Sequence, residues 1–457
     1  MTEPIVAAAT GPVIPIDAVT PAALPALLEA RPFAKAFAEL SKFEAKAGQT
    51  LVLPGEDGRI AAVIFGLGDR PEPATFRQLP GRLPAGDYAL ASIPDGVTTP
   101  DIALAFALGS YRFDRYREKR EPQPRLVVEG DVAEAHDIAH ACALAKDMVN
   151  TPANDMGPLQ IETIAREIAE QYGAAISVVT GDALLAENYP AIHAVGRAAH
   201  EGRAPRMIEI RWGEAGPLVA IVGKGVVFDT GGLDIKPSAG MRNMKKDMGG
   251  AAHALALGRM VMAARLPVRL AVLVPVVENA ISGDAMRPGD VLNSRKGLTI
   301  EVGNTDAEGR LILADALTRA EELEPALTID LATLTGAARV ALGPQVIPFY
   351  TPDDALAADI DAASRATADP LWRMPLWAGY EEALEGDIAD LKNDPDAWAQ
   401  AGSVTAALFL QRFAPASGAW VHLDIFAWNP KGRPGHPAGA EAQAIRALYA
   451  MLKGRFS

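Results

Sequence analysis

The sequence predicts an α/β fold, in which a C-terminal α/β/α sandwich with a mixed, largely parallel sheet is preceded by a smaller N-terminal α/β domain. Two observations support this prediction. Beyond residue 150, near-continuous apolar runs of strand length alternate with patterns of helical spacing, as in a sheet that helices cover on both faces. Apolar residues make up 49% of the 457 residues, which suffices for a sizeable buried core.

We predict three segments along the chain: an N-terminal domain over residues 1–130, a connecting helix over 131–150 and a larger domain over 151–457. The connecting helix should end before Pro152, because proline disfavours helix in the preceding residue. No pattern assigns the Ala/Pro-rich residues 1–40. The elements predicted in the rest of the N-terminal domain are a hairpin of Leu51–Leu53 with Ile60–Phe65, a helix over 100–116 and a strand at Arg125–Val128.

The larger domain carries the alternating strands and helices. Its predicted strands are Leu218–Val222, Val226–Phe228, Val268–Val277, Leu298–Val302, Thr328–Leu331 and Trp420–Ile425. Its predicted helices are Leu159–Gln171, Gly249–Ala264, Gly309–Leu323 and Val404–Phe413. Ligands of such sheets bind beyond the carboxyl ends of the strands, so the residues that follow each strand are the candidates for a functional site.

Charge and cysteine content exclude several classes of protein. The formal net charge of −14 argues against nucleic-acid binding as the main function. The single cysteine, Cys142, excludes a disulfide scaffold and a thiolate zinc site. No apolar run approaches the roughly 20 residues of a membrane span, and the N-terminus, which contains Glu3, lacks the basic region of a signal peptide. We therefore expect a cytoplasmic protein without a membrane partner.

Three glycine-rich segments between residues 223 and 311 place acidic residues where strands end or helices begin. They read GKGVVFDTGGLDIKP from residue 223, MKKDMGG from residue 244 and NTDAEGRL from residue 304. Glycine lets the backbone approach a ligand closely. Carboxylates that cluster without histidine are the ligands that hard or borderline divalent cations prefer. The segments therefore indicate a carboxylate metal site.

Each acidic residue also has a purely structural alternative. Thr305 and Glu308 have the spacing of a capping box for a helix that begins near Gly309. Asp229 fits a turn aspartate that hydrogen-bonds its own backbone, and Asp247 fits the start of the helix at residue 249. Taken together, these segments favour the metal site over separate structural explanations.

The two lysines of the first segment, Lys224 and Lys236, would ordinarily be solvated surface residues. Lys224, however, lies between two glycines inside an apolar stretch, where an unpaired ammonium would be costly. This placement favours a role near the carboxylates.

The three segments resemble the signature of the cytosol leucyl aminopeptidase family, whose members are dinuclear metal exopeptidases. The similarity extends over residues 146–430 and includes VNTPAN from residue 149, DLATLTGA from residue 330 and AGSVTAA from residue 401. NTDAEGRL is the most specific of these motifs. The N-terminal domain matches the family only in size and position.

The resemblance implies two divalent metal ions, Mn²⁺ or Zn²⁺, in each subunit. Asp229 and Glu308 correspond to carboxylates that bridge the two metals, while Asp247 and Lys224 add ligands to one metal and Asp306 to the other. A lysine ligates only as the neutral amine, so the metals must depress its pKa strongly. Two such metals, roughly 3.5–4 Å apart, activate a shared water near neutral pH.

The resemblance also implies the catalytic and substrate-binding residues. Lys236 corresponds to the lysine that polarises the scissile carbonyl and stabilises the oxyanion. Arg310 corresponds to the second catalytic residue, which in the family holds a bicarbonate that moves the proton; arginine itself is a poor base. The backbone at Leu334 and Gly336 would orient the substrate, and Met244 would line the pocket for its first side chain.

The resulting hypothesis is a cytoplasmic, hexameric aminopeptidase that removes N-terminal residues from short peptides. Two alternatives of other classes are a DNA-binding protein, as some aminopeptidase-like proteins are, and an inactive scaffold. The seven intact catalytic and ligand positions disfavour the scaffold, and the acidic balance disfavours DNA binding. His136 and His140 approach the spacing of a zinc protease motif, but Asp137 replaces its glutamate and we expect a solvated helix face.

Overall fold

The computed structural model describes residues 3–118, 121–395 and 400–457. The chain forms two compact units, one made of Met1–Ala143 with Asn429–Gly439 and the other of Leu144–Trp428 with Ala440–Ser457. Each unit contains a β-sheet and helices, which confirms the predicted α/β class. Within the described ranges, no helix has the length and apolar content needed to cross a lipid bilayer.

The N-terminal unit is built on a six-stranded sheet. Its strands are β1 (Ile5–Val6), β2 (Val13–Val19), β3 (Thr50–Pro54), β4 (Ile60–Gly66), β5 (Gly86–Leu90) and β6 (Pro124–Val127). Across the sheet they lie in the order β1-β6-β5-β2-β4-β3, and every neighbouring pair is parallel except β3 with β4. The helices of this part of the chain are α1 (Leu24–Glu29), α2 (Pro32–Ser41), α3 (Thr99–Gly109) and α4 (Ala133–Asn150), the last of which contains the division between the units.

Two expectations for this unit need comment. The predicted hairpin forms as β3 and β4. The predicted helix over 100–116 is too long, since α3 ends at Gly109 and none of residues 111–118 is buried, so these residues have no core surface to hold them in a helix.

Residues 1–40, left unassigned above, contain the central strand β2. Its Pro15 obscures the strand pattern and is tolerated because it lies where β2 pairs with β5 alone.

The C-terminal unit is built on a nine-stranded mixed sheet. Its strands are β7 (Ala175–Thr180), β8 (Arg206–Trp212), β9 (Leu218–Gly223), β10 (Gly225–Asp229), β11 (Arg269–Asn279), β14 (Leu327–Ala332), β15 (Ile347–Tyr350), β16 (Leu371–Arg373) and β18 (Ala419–Asp424). The shorter strands β12 (Val291–Asn293), β13 (Thr299–Glu301) and β17 (Leu391–Lys392) form a separate sheet. Strands β19 (Trp428–Asn429) and β20 (Gly439–Ala440) pair with each other, and each contains a division between the units. The large sheet has the order β16-β15-β18-β14-β9-β11-β8-β7, and β10 extends along β11.

The centre of the large sheet is parallel: β9 pairs in parallel with β11 and β14, and β14 pairs in parallel with β18. The helices of this unit are α5 (Pro158–Tyr172), α6 (Ala183–Ala186), α7 (Pro190–Gly196), α8 (Ser238–Met241), α9 (Gly249–Ala263), α10 (Glu308–Glu321), α11 (Gly336–Leu342), α12 (Asp354–Thr367), α13 (Gly402–Gln411) and α14 (Ile445–Phe456). Every residue of β9, β14 and β18 is buried, as expected for strands covered on both faces. The predicted sandwich with its largely parallel sheet is therefore confirmed.

This topology brings polar residues of distant segments to one edge of the sheet. Because β9, β11, β14 and β18 run in parallel, their carboxyl ends meet at the same edge. Lys224 follows β9, Asn279 ends β11, Thr333 follows β14 and Asp424 ends β18. Strand β10, parallel to β11, adds Asp229 at its own end.

Candidate metal centre and active site

The five predicted metal ligands come from the three glycine-rich segments and meet at this edge of the sheet. Four of them, Lys224, Asp229, Asp247 and Glu308, are each at most 3% exposed. Asp247 lies in a 3₁₀ turn (Met244–Met248) before α9, and Glu308 is the first residue of α10. Asp306 lies in the loop before α10 and keeps a third of its side chain exposed.

Three carboxylates form the centre of this cluster. Asp229, Asp306 and Glu308 each offer an oxygen atom, and these three atoms lie within 4.8 Å of one another. Glu308 Oε2 has no hydrogen-bond partner, and Oε1 has only the Lys224 ammonium, 2.9 Å away. Asp306 Oδ1 and Asp247 Oδ2 likewise have no partner other than a lysine. Buried oxygens in this state are suited to cations, because an ion would satisfy the remaining lone pairs.

Burial and the crowding of negative charge raise the pKa values of two of these carboxyls. Burial, together with the charge of Asp229, raises the pKa of Glu308 well above its ordinary value. Burial and the same neighbour raise the pKa of Asp306 to about 6. The site thus concentrates carboxylates that a positive charge would stabilise.

Lys224 is buried between the acids and is not a solvated surface lysine. Its Nζ lies 2.9 Å from Asp247 Oδ2 and donates to the backbone oxygen of Thr333 at 3.1 Å. Burial alone would lower the pKa of this amine, but Asp247, Glu308 and Asp229 outweigh burial and raise it. Gly309 makes room for the lysine, since a Cβ atom there would sit 2.6 Å from Lys224 Cε.

Lys236 reaches the same cluster from the loop after β10. Its Nζ lies 2.8 Å from Asp229 Oδ2 and also contacts Asp306. Burial would lower the pKa of Lys236, but the charge of Asp229 outweighs it and raises the pKa, which keeps the side chain cationic. The loop turns back at Gly231, whose φ of +88° and close approach to the Asp234 carbonyl require glycine.

Arg310 lies in the first turn of α10 and is buried. Its Nη1 donates to the backbone oxygen of Asn393 at 2.6 Å, and its Nε has no hydrogen-bond partner. Burial lowers the pKa of this guanidinium, against the attraction of Asp394 and Glu308, from a value so high that the group remains charged. Arg310 is therefore a fixed cation with donors that an anion could use.

The predicted substrate-binding residues lie in two segments, Met244 close to Asp247 in sequence, and Leu334 and Gly336 after Thr333, which contacts Asp247. Met244 is half-buried at the start of the 3₁₀ turn that carries Asp247. Leu334 follows Thr333, whose hydroxyl donates to Asp247 Oδ1 at 2.8 Å. Gly336 is exposed at the start of α11, with open space where a Cβ atom would lie.

The structure rejects two of the three structural alternatives to metal binding and contains the third. The capping box is wrong, because α10 begins at Glu308 after Ala307, which makes no side-chain cap. The Thr305 hydroxyl instead donates to the backbone oxygen of Gly231 and joins two of the glycine-rich loops. Asp247 does not cap α9, which begins without a side-chain cap. Asp229 does form the expected turn, since its Oδ1 accepts from Gly231 N–H, and its other oxygen faces Lys236.

Sequence reasoning missed several buried residues that hold the ligands in place. Asn279 donates from Nδ2 to Asp229 Oδ1 at 2.8 Å and to the Thr305 backbone oxygen at 3.1 Å. Asn393, fully buried, accepts from the Gly303 N–H and donates to the backbone oxygen of Asn304. For Asn279, the only signal in the sequence was its position as a polar residue at the end of the apolar run of β11. No signal pointed to Asn393, because it lies more than 80 residues from its partners.

Asp424 is a further residue missed from the sequence, and it holds the segment after β14. Its Oδ1 accepts from the N–H groups of Leu334 at 3.0 Å and Thr335 at 3.1 Å, and its Oδ2 accepts from the Thr335 hydroxyl at 2.6 Å. Burial raises the pKa of Asp424, while these hydrogen bonds and His422 act in the opposite direction. The backbone around Leu334 is therefore held in one conformation.

Comparison with known proteins covers both units. A family model described as the catalytic domain of the cytosol aminopeptidase family matches residues 143–449. A second model, described as the M17 aminopeptidase N-terminal domain, matches residues 14–129.

Several relatives and solved structures resemble nearly the whole chain. A probable cytosol aminopeptidase of Syntrophotalea carbinolica is 40% identical over 81% of this chain and 79% of its own length, and one of Chlorobium limicola is 36% identical over 91% of both. The crystal structure of a cytosol aminopeptidase from Coxiella burnetii is 41% identical, with a TM-score of 0.94 over 99% of both chains. The bottromycin maturation enzyme BotP in complex with Mn is 34% identical, with a TM-score of 0.88 over 97% of this chain and 99% of its own.

Proposed function

The chain belongs to the cytosol aminopeptidase family of metal-dependent hydrolases, and from that premise we propose that it removes the N-terminal residue of short peptides by means of two divalent cations. The residues proposed to hold the cations are Lys224, Asp229, Asp247, Asp306 and Glu308. The observation that carries this proposal is the meeting of three carboxylates within 4.8 Å, with buried oxygens that have no partner other than a lysine.

The donor set fits divalent cations of the Mn²⁺ or Zn²⁺ type. Four carboxylates outnumber the single lysine, and oxygen ligands suit manganese and magnesium as well as zinc. The resemblance to the bottromycin maturation enzyme BotP, which was solved in complex with Mn, favours manganese. When bound, two such cations supply Lewis-acid polarisation and make a water molecule acidic enough to act as the nucleophile near neutral pH.

Lys236 is proposed as the electrophile that faces the scissile carbonyl. Its ammonium is kept cationic by Asp229, and its side chain is 16% exposed, so it can donate to an oxygen that gains negative charge as the carbonyl is attacked. The ammonium contacts Asp229 and Asp306, which places it beside the proposed cation ligands.

Arg310 is proposed to hold a bicarbonate ion that accepts and delivers the proton. Asn393 anchors one end of its guanidinium, which orients the remaining donors. The guanidinium cannot itself lose a proton at neutral pH, so it acts by holding an anion and stabilising charge.

The substrate is proposed to lie along the segment after β14. Asp424 fixes the backbone at Leu334, and the exposed Gly336 leaves room for a peptide chain at the start of α11. Met244 is proposed to line the pocket for the first side chain, because it precedes Asp247 by three residues, one turn of the 3₁₀ segment that carries both.

From the family resemblance we also propose a homohexamer in the cytoplasm. The names of the relatives, which describe cytosol aminopeptidases, support the location. We further propose that residues 151–457 act as the catalytic domain, with residues 1–130 as an accessory domain and residues 131–150 as the connection between them.

Chelation tests the proposed function directly. We expect hydrolysis of leucyl p-nitroanilide and of a leucyl dipeptide to fall to background after exhaustive chelation and to return when Mn²⁺ or Zn²⁺ is added. An N-acetylated leucyl peptide, which lacks the free amine, should not be cleaved. Activity that persists in a protein shown by elemental analysis to be free of metal would refute the mechanism.

A further inference from the structure

A second cluster of metal-ligating side chains lies in the N-terminal unit. His136 and His140 are one turn apart on α4, so both side chains project from the same face of the helix. They are half-buried, with 28% and 38% of their side chains exposed, and both face Glu3. We expected the two histidines to lie on a solvated helix face, but they are half-buried and form a cluster with Glu3.

The position of Glu3 is set by the sheet. The backbone oxygen of Pro4 accepts from Leu126 N–H at 2.8 Å, and Ile5, only 2% exposed, pairs with Leu126 in β6. Glu3 therefore lies two residues before the start of β1, next to residues that the sheet holds in place. Its carboxylate contacts His136 and His140 of α4.

The geometry of the cluster matches a cation site. His136 Nδ1 lies 3.4 Å from Glu3 Oε2, and His140 Nε2 lies 3.3 Å from Glu3 Oε1. One ligand atom from each residue lies within 4.8 Å of the other two. A tetrahedral zinc site with bonds of about 2.0–2.1 Å has ligand atoms roughly 3.3–3.4 Å apart, which is the separation of each imidazole nitrogen from the carboxylate.

We propose that Glu3, His136 and His140 bind one divalent transition-metal ion of the Zn²⁺ or Cu²⁺ type. Two imidazoles and one carboxylate are ligands that zinc and copper prefer, whereas magnesium and calcium require oxygen. The partial exposure of all three side chains leaves a coordination position open to water. Such an ion would tie the segment before β1 to α4.

The site differs in chemistry from the proposed catalytic centre. The catalytic cluster lies in the C-terminal unit and consists of carboxylates and a lysine, without histidine. Imidazole coordination therefore distinguishes the two sites in one sample. A simple ion pair between Glu3 and protonated histidines would give the same contacts without binding metal, and this is the alternative to be tested.

Copper titration of the Mn²⁺-loaded enzyme, followed by pulsed electron paramagnetic resonance, tests the proposal. We expect one Cu²⁺ per chain whose spectrum shows coupling to two imidazole nitrogens. His140→Asn should leave at most one coupled imidazole. Glu3→Gln should weaken binding by at least about tenfold, because even changes outside the ligand shell cost roughly 10- to 100-fold in metal affinity.

Controls separate this site from other histidines and from the catalytic centre. His200→Asn changes an exposed histidine that caps a short turn and should leave copper binding unchanged. All three variants should keep the aminopeptidase activity of the Mn²⁺-loaded enzyme. Unchanged affinity in both Glu3→Gln and His140→Asn, or the absence of imidazole coupling in the unmodified protein, would overturn the proposal.

Discussion

At the scale of single residues, the site depends on how buried charges are arranged around three carboxylates. Lys224 and Lys236 each bridge two acids, so each lysine neutralises charge that the fold has forced together. Only Lys236 is partly open to solvent, at 16% exposure of its side chain against 3% for Lys224. This difference supports the separate roles proposed for the two lysines, one as ligand and one as electrophile.

Substitution of Lys236 should separate catalysis from metal binding. We expect Lys236→Ala to reduce kcat by at least about 10²- to 10³-fold, because one donor to a developing oxyanion contributes that much. Metal content, measured by elemental analysis, should stay at the unmodified level. Lys296→Ala, which removes a surface lysine paired with Glu321, serves as the control and should leave kcat unchanged. Turnover close to that of the unmodified enzyme in Lys236→Ala would remove this residue from the chemistry.

Asn279 should act on the metal through Asp229. Asn279→Ala removes two buried hydrogen bonds, one to Asp229 and one to the Thr305 backbone, and frees the carboxylate to rotate. We expect metal affinity to fall about 10- to 100-fold, with kcat largely recovered at saturating metal. Asn154→Ala, at an exposed asparagine, is the control. If Asn279→Ala lowered kcat at saturating metal without changing affinity, the positioning role would be wrong.

At the scale of the elements, close packing between helices and the sheet edge positions the ligands. Helix α9 approaches β14 so closely that a Cβ atom at Gly250 would lie 2.1 Å from the Leu331 backbone oxygen. Helix α10 similarly begins against Lys224 at Gly309. Gly250 and Gly309 therefore let the starts of α9 and α10 lie against the ends of the strands. Asp247 lies just before α9, and Glu308 is the first residue of α10.

A pair of glycine substitutions tests this packing. Gly309→Ala should lower the free energy of unfolding by about 1–3 kcal/mol and weaken metal binding, because the added methyl group would overlap Lys224. Gly454→Ala in α14 meets open space and should instead stabilise the protein by roughly 0.5–1 kcal/mol, since alanine favours helix. Chemical denaturation and metal titration measure both effects. Equal responses of the two variants would contradict the packing argument.

The elements could largely be predicted from the sequence where burial is complete. The predicted strand at residues 218–222 and helix at 249–264 agree closely with β9 and α9, because apolar runs and periodicity reflect their burial. Prediction failed where tertiary contacts, and not a local sequence pattern, determine the secondary structure. The central strand β2 was missed because it contains Pro15, and α3 ends early because the residues that follow have no core to contact.

At the scale of the whole molecule, the unfolding free energy should depend on pH through His253. This fully buried histidine has Nδ1 2.6 Å from the Gly249 backbone oxygen, and its Nε2 accepts from the Gln443 N–H. Burial lowers the pKa of His253, against the opposing hydrogen bond to Gly249, so the folded protein holds the neutral ring. In the unfolded chain this histidine binds a proton near pH 6.5, whereas in the folded protein it binds one only at a lower pH.

The sign of the effect follows from this lowered pKa. The stability contributed by His253 is complete above about pH 6.5 and is lost as the pH falls below it, at no more than about 1.4 kcal/mol per pH unit. We expect His253→Gln to be less stable at pH 7.5, with a difference from the unmodified protein that narrows toward pH 5. His200→Gln should follow the unmodified profile. Parallel profiles for His253→Gln and the unmodified protein, measured by calorimetry, would show that this residue makes no such contribution.

The sequence by itself determined the α/β class, the family and the chemical types of the candidate ligands, because hydrophobic periodicity and three short motifs are local properties of the chain. Only the tertiary structure decided how Asn279, Asn393 and Asp424 support those residues, and that Glu3 faces two histidines of α4. Sequence spacing carries no record of such contacts, which arise when parallel strands and packed helices bring together side chains that lie tens to hundreds of residues apart.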